Sequence, residues 1–230
     1  MTDTLKNNIP HINVIICTPG HSVMGSYLKS LLPTIDWLSK NNITWAFSNE
    51  YASMVSDARE MTLSGTTQNS LTQNKPFEGQ ITYDKVFWID SDISWKVEDF
   101  KKLYESDKDI VSGAYLIATG EVMAFEKILR RSYKFDEIKN EIDLMKIEAC
   151  GFGFLAVKSG VFESLSRPWF QAAMGSVETE DGNTIEFPII GEDISFCKRA
   201  TDNGHEIWLD PTVQLTHHKT MKLTWEGIAP

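Results

Sequence analysis

Tyr83–Trp95, YDKVFWIDSDISW, decides the fold. Val86-Phe87-Trp88-Ile89 is an unbroken apolar run with two aromatic and two β-branched residues. That is the pattern of a central strand covered on both faces. The run drives straight into Asp90-Ser91-Asp92. Acids at the end of a buried strand need a partner, because an unpaired buried charge is costly. A hard divalent cation with oxygen ligands is one such partner, and ligands collect at strand ends in open α/β sheets. A plain turn leading into a helix N-cap would use acids here as well, and a helix is expected to begin near Lys96.

Upstream of this strand the chain reads β-turn-α-β. His11–Cys17 is rich in β-branched residues, and Thr18-Pro19-Gly20 turns the chain. Leu28, Leu31, Leu32, Ile35 and Leu38 form one stripe of a helix over Tyr27–Lys40, which Pro33 is expected to kink or delay. Ile43–Phe47 is a second strand, so the unit is a right-handed parallel crossover. Ala52–Leu63 is expected to be helical and carries Arg59 and Glu60; the polar stretch Ser64–Gly79 reads as an exposed mobile loop.

Downstream, a helix over Val97–Tyr104 and a strand over Asp109–Tyr115 continue the pattern. Ala118–Lys146 is less regular and holds a basic cluster, Lys127, Arg130, Arg131 and Lys134, which reads as a solvated hairpin. Glu148–Lys158 is a strand interrupted by Gly151 and Gly153, glycines that allow a close backbone approach or mark a bulge. Val161–Leu165 reads as a short helix, and Arg167–Pro188 as an aromatic loop. Gly191-Glu192-Asp193 opens a helix closed by Asn203-Gly204. Glu206–Leu209 and Val213–Thr216 are late strands, followed by His217-His218-Lys219. The whole is an α/β chain with a mixed, mostly parallel central sheet flanked by helices. It is expected to form a single domain over 1–230.

Composition narrows the function. The 230 residues are 42% hydrophobic and 23% charged, ordinary values for a globular protein. A net charge of -10 opposes bulk attraction to nucleic acid or anionic membrane. The cysteines, Cys17, Cys150 and Cys197, are odd in number and far apart, as expected of free thiols in a reducing compartment. No run approaches membrane-spanning length and the N-terminus has no apolar leader. The expected location is the cytoplasm, with no stable membrane insertion.

Three pairs stand at strand or helix ends: Asp90/Asp92, Glu192/Asp193 and His217/His218. Each alone has a plain explanation, for instance acids complementing a helix dipole. Together they make a two-part site, one part holding a metal and the other supplying a base. The ordered motifs ICTPG (Ile16–Gly20), SDARE (Ser56–Glu60), FWIDSDISW (Phe87–Trp95), GFGFLAVK (Gly151–Lys158), GEDISFCKRA (Gly191–Ala200) and THHKT (Thr216–Thr220) resemble those of GT-A-fold, nucleotide-sugar-dependent glycosyltransferases. The small family-2-like bacterial and phage-type enzymes are the nearest in flavour, which would place the protein in a host cytoplasm if phage-encoded.

The resemblance implies a nucleotide-sugar-binding half over about 1–115, an acceptor-binding half over about 116–230, and roles for single residues. Asp90, Asp92 and His217 would hold Mn2+ or Mg2+, with His217 preferred to His218. Thr18, Pro19, Arg59, Asp90, Ser91 and Asp92 would bind the donor. Gly151 and Phe152 would floor the acceptor site, and Trp169, as an aromatic residue, would suit a sugar face there. Glu192 and Asp193 would be the catalytic pair, with Asp193 the base of an inverting transfer. Glu60 departs from the pattern, since an Asn often follows the Arg there. The implied reaction moves a sugar from a nucleoside diphosphate sugar, UDP favoured, to an acceptor hydroxyl on a glycan, lipid-linked sugar, protein, small molecule or modified DNA base. A sugar-phosphate nucleotidyltransferase shares this architecture, but Cys17–Ser26 lacks the Lys or Arg such enzymes carry after the first strand. A non-catalytic nucleotide- or carbohydrate-binding module is the other alternative.

Overall fold

The computed structural model describes residues 9–64, 74–128, 131–178, 182–219, 222–224 and 227–229. The first half supplies strands β1 (His11–Cys17), β2 (Trp45–Ser48), β3 (Thr82–Ile89), β4 (Ile93–Ser94) and β5 (Ile110–Ala114). Helices α1 (Gly25–Lys40), α2 (Val55–Ser64) and α3 (Val97–Glu105) lie between them. The second half adds β6 (Glu121–Lys127), β7 (Arg131–Lys134), the short α4 (Phe135–Ile138), β8 (Met145–Ile147), β9 (Ala149–Cys150) and β10 (Phe154–Lys158). It ends with β11 (Ala173–Glu178), β12 (Thr184–Ile190), α5 (Glu192–Asp202), β13 (Ile207–Gln214), β14 (Thr216–His217), β15 (Lys222–Thr224) and β16 (Gly227–Ala229).

The main sheet has seven strands in the order β2-β1-β3-β10-β5-β13-β8. β1, β2, β3, β5 and β13 run one way, while β10 and β8 run against them. Alternation along each strand builds two cores. Val86 and Trp88 of β3, Ile15 and Cys17 of β1, and Leu155 and Val157 of β10 face a layer containing Leu63, Phe162, Trp169, Phe170 and Phe196. Phe87, Ile89, Val14, Ile16, Phe154 and Ala156 face the opposite layer, with Tyr27 and Leu31 of α1 and Phe100 and Leu103 of α3. Burial of all four residues Val86–Ile89 follows from this double covering. Each such side chain contributes about 1.5–3 kcal/mol.

Three elements differ from the sequence expectation. α1 runs from Gly25 straight through Pro33. Pro33 and Lys29, the residue whose carbonyl loses its partner, both lie on the exposed face, so water can take that carbonyl. The stretch expected as an aromatic loop contains the hairpin β11–β12. The two late strands expected on either side of Pro211 are one strand, β13, with a register break between Asp210 and Gln214. The basic cluster does lie on a hairpin, β6–β7; Arg130 falls outside the described residues. Lys127 pairs with Glu148 at 2.7 Å and Arg131 with Glu137, so these two charges are paired within the chain. All three cysteines are buried and free, and no helix among the described residues is long and apolar enough to cross a membrane.

Candidate active site

The Asp90-Ser91-Asp92 turn ends β3, and its backbone is held from four directions. Asp90 N–H donates to Gly153 O at 3.0 Å, Ile93 N–H to Asp90 O at 3.0 Å, Met24 N–H to Ser91 O at 3.0 Å and His218 N–H to Asp92 O at 2.8 Å. Trp95 anchors the following residues to α1 through Ser30 and Thr34, both at 2.9 Å. β4 then pairs antiparallel with β14, setting His217 opposite Ile93. Two pieces of chain 125 residues apart are thus zipped together.

That pairing brings His217 Nε2 to 3.2 Å from Asp92 Oδ2. The other ring nitrogen, Nδ1, lies 2.8 Å from Leu116 O. A carbonyl can only accept, so Nδ1 carries the proton and donates. In the neutral ring Nε2 then presents a lone pair to a carboxylate oxygen. Only a proton or a cation between them makes that arrangement favourable. Lys219 Nζ reaches the same Asp92 oxygen at 2.8 Å. Burial works against ionised Asp92, but the hydrogen bonds and charges of His217 and Lys219 outweigh it and hold the carboxyl at about 2. The Asp92 hydrogen bond raises His217 against the effect of burial. His218 turns elsewhere, to Ser94 Oγ at 2.8 Å.

Arg59, from α2, ties the early acids to the late ones. Its Nη2 donates to Asp90 Oδ1 at 3.1 Å and its Nε to Glu192 Oε1 at 3.2 Å. The guanidinium lies over Phe152 and Trp88, 5.2 and 5.8 Å from the ring centroids. Burial opposes its charge, but the surrounding Asp90, Glu192 and Asp193 prevail and raise its pKa. Its Nη1 is buried without a hydrogen-bond partner among the described residues. The neighbouring Glu60 does not join this set. It accepts from Arg167 Nε at 2.7 Å and from the Trp169 and Phe170 N–H groups at 2.9 and 3.3 Å, clamping the loop that carries the aromatic core.

Asp193 opens α5. Burial, then the Glu192 charge, lifts its carboxyl to about 6, against the Ile194 N–H bond and the Arg59 charge. Gly191 makes room for it, since a Cβ there would stand 2.9 Å from Asp193 Oδ1. Arg59 therefore neutralises Asp90 and Glu192, while Asp193 is left as the readily protonated member of the group. That is the property of a general base working near neutral pH.

The remaining sequence candidates divide between cleft and core. Pro19, Ser91, Arg59, Asp90, Asp92 and His217 line one cleft of about 370 Å³. Thr18 is buried, its hydroxyl bonded to Tyr27 and its carbonyl accepting from Asn49 at 2.6 Å. Phe152 and Trp169 are buried too, within the cluster of Trp88, Phe162, Phe170 and Phe196. Gly151 and Gly153 flank Tyr115. A Cβ would come 2.2 Å from the Tyr115 hydroxyl at Gly151 and 2.6 Å from its ring at Gly153. The close approach inferred from these glycines is made to a tyrosine of the chain itself, whose hydroxyl accepts from Gly153 N–H at 3.1 Å. Tyr115 also sits edge-on to His217, with centroids 5.4 Å apart. Tyr115, Lys219 and the Leu116 carbonyl were not legible as site groups, although Lys219 lies within the quoted THHKT motif.

The donor set can be tested against a divalent ion. Among the described residues, no three His, Cys, Asp or Glu side chains are grouped to hold a metal alone. Asp92 and His217 offer two donors 3.2 Å apart. Two adjacent ligands of an octahedral ion at about 2.1 Å stand about 3 Å apart, and such ions commonly complete their shell with substrate phosphates and water. The carboxylate is a donor of the kind hard divalent ions such as Mg2+ and Mn2+ take. The residues fit a site completed by a diphosphate.

No protein-family model matches the chain. A search of curated proteins finds no match either. Solved structures do match. A197 from STIV aligns with a TM-score of 0.54 at 20% identity, over 94% of this chain and 92% of that one. GalNAc-T7, solved with UDP, GalNAc and Mn2+, aligns with a TM-score of 0.54 at 11% identity, over 90% of this chain and 44% of that one. At these identities the likeness is one of fold, and the fold is the GT-A type that the sequence motifs resemble.

Proposed function

We propose that this GT-A-fold chain is a divalent-cation-dependent glycosyltransferase. It transfers a sugar from a nucleoside diphosphate sugar, UDP favoured, to an acceptor hydroxyl. The observation that carries this reading is the Asp92 Oδ2–His217 Nε2 pair at 3.2 Å, at the end of the central strand and in the cleft that Arg59 and Asp90 also line.

When bound, Mn2+ or Mg2+ supplies charge neutralisation for the leaving diphosphate. Asp92 and His217 would hold it, and the Leu116 carbonyl fixes the imidazole tautomer. Asp90, oriented by Arg59, faces the donor's ribose. Pro19 and Ser91 wall the nucleotide, and the Thr18 backbone shapes that wall from the core. Asp193 takes the acceptor's proton as the acceptor oxygen bonds to the anomeric carbon and the bond to the phosphate oxygen breaks. Attack opposite the leaving group inverts the configuration. Glu192 contributes by holding Arg59 rather than by touching the acceptor. Gly151, Phe152 and Trp169 support the acceptor side through the core they form. The pairing of Lys127 with Glu148 and of Arg131 with Glu137 favours a sugar, protein or small-molecule acceptor over a DNA base.

Incubation with a panel of UDP- and GDP-sugars, with and without Mn2+, tests the reading through release of the free nucleotide. Metal-dependent release that Asp193→Asn abolishes is the expected result. Pyrophosphate exchange with nucleoside triphosphate would point instead to nucleotidyl transfer. Absence of any release with every sugar, in a folded sample, would remove the enzymatic reading.

A further inference from the structure

The cleft already contains a cation that belongs to the chain. Lys219 Nζ stands 2.8 Å from Asp92 Oδ2, the oxygen that His217 Nε2 faces at 3.2 Å. An ion shared by Asp92 and His217 needs that same oxygen, and like charges this close repel strongly in a half-buried setting. Lys219 must therefore leave when such an ion arrives. Its side chain is 54% exposed, so the swing meets little packing. The Arg59 guanidinium already occupies Asp90 Oδ1 and Glu192 Oε1, which leaves the incoming diphosphate as the ammonium's natural new partner.

We propose that Lys219 is an internal competitor for the divalent ion and couples ion binding to nucleotide binding. The inference rests on the nucleotide-sugar reading and deepens it. Alone, the ion must displace an ammonium that has nowhere better to go. With a nucleoside diphosphate present, the displaced ammonium gains an anionic partner, so each ligand strengthens the other. By linkage the strengthening is equal in both directions.

The test measures Mn2+ binding to the full chain by electron paramagnetic resonance, with and without saturating UDP, for wild type and Lys219→Gln. Without UDP, the variant is expected to bind Mn2+ roughly two- to fivefold more tightly, the worth of a partly exposed ion pair. With UDP, the enhancement of Mn2+ affinity is expected to shrink by at least that factor, and UDP affinity measured by calorimetry in Mn2+ falls. Lys219→Arg, which keeps the charge, restores the coupling. A residue with only a structural role would not tighten ion binding when removed. Equal Mn2+ affinity and equal enhancement in wild type and variant would overturn the inference while leaving the nucleotide-sugar reading intact. Failure of the wild type to bind Mn2+ or UDP at all would overturn that reading as well.

Discussion

Replacing Asp193 with asparagine is expected to stop transfer and, at the same time, to stabilise the protein. The carboxyl ionises at about 6 in the folded chain, against an ordinary 3.8. The folded state therefore holds this proton more tightly than the unfolded state. The resulting stability is fully present below pH 3.8 and is lost as pH rises through 6. At ~1.4 kcal/mol per pH unit of difference, ionised Asp193 costs the fold up to about 3 kcal/mol above pH 7. Asparagine is neutral at every pH and can still accept from Ile194 N–H at 2.8 Å. Its advantage over wild type should grow from nothing at pH 3.5 towards about 3 kcal/mol at pH 8, or roughly 6–12 °C in melting temperature for a chain of this size. Urea unfolding of both proteins across that range measures it, alongside nucleotide release, which in wild type should fall away below pH 6. A gap between the two proteins that does not change with pH would refute the assignment of a raised carboxyl to Asp193. So would undiminished transfer at pH 5. That outcome is a trade of stability for activity.

Other perturbations follow from the same geometry. Arg59→Met removes the cation that Asp90 and Glu192 share, and urea unfolding should show a loss of about 3–5 kcal/mol. His217→Ala is expected to weaken Mn2+ binding in the presence of UDP about 10–100-fold, whereas His218→Ala, which removes only a contact to Ser94, leaves it unchanged; calorimetry separates the two. Gly153→Ala forces a methyl to within 2.6 Å of the Tyr115 ring and should cost about 1–3 kcal/mol by chemical denaturation, with part of that loss recovered in a Tyr115→Ala background.

The fold was legible because hydrophobic period and turn residues agree along β3, β1 and α1. Val86–Ile89 reads as a strand covered twice, and its two faces do enter different cores. β11 and β12 form a two-stranded hairpin outside the main sheet; Ile185, Phe187 and Ile189 do alternate in β12, but Pro188 among them argues against a strand. Gly151 and Gly153 signalled a close approach, but nothing local could say that Tyr115 is what approaches. Glu60 was visible as a departure, yet its partners Arg167, Trp169 and Phe170 lie more than a hundred residues away. The Asp92–His217 pairing had a chemical logic in the sequence. The Lys219 contact and the His217 bond to Leu116 O depend on side-chain placement that no spacing rule encodes.

Calorimetric titration of UDP into the protein with and without Mn2+, repeated on Asp92→Asn, bears most directly on the proposal that Asp92 and His217 share a divalent ion. Mn2+ is predicted to tighten UDP binding by about tenfold or more in wild type and to do almost nothing in the variant. Identical UDP affinity with and without Mn2+ in wild type would contradict the account, and so would an equal Mn2+ effect in the protein lacking the Asp92 carboxylate.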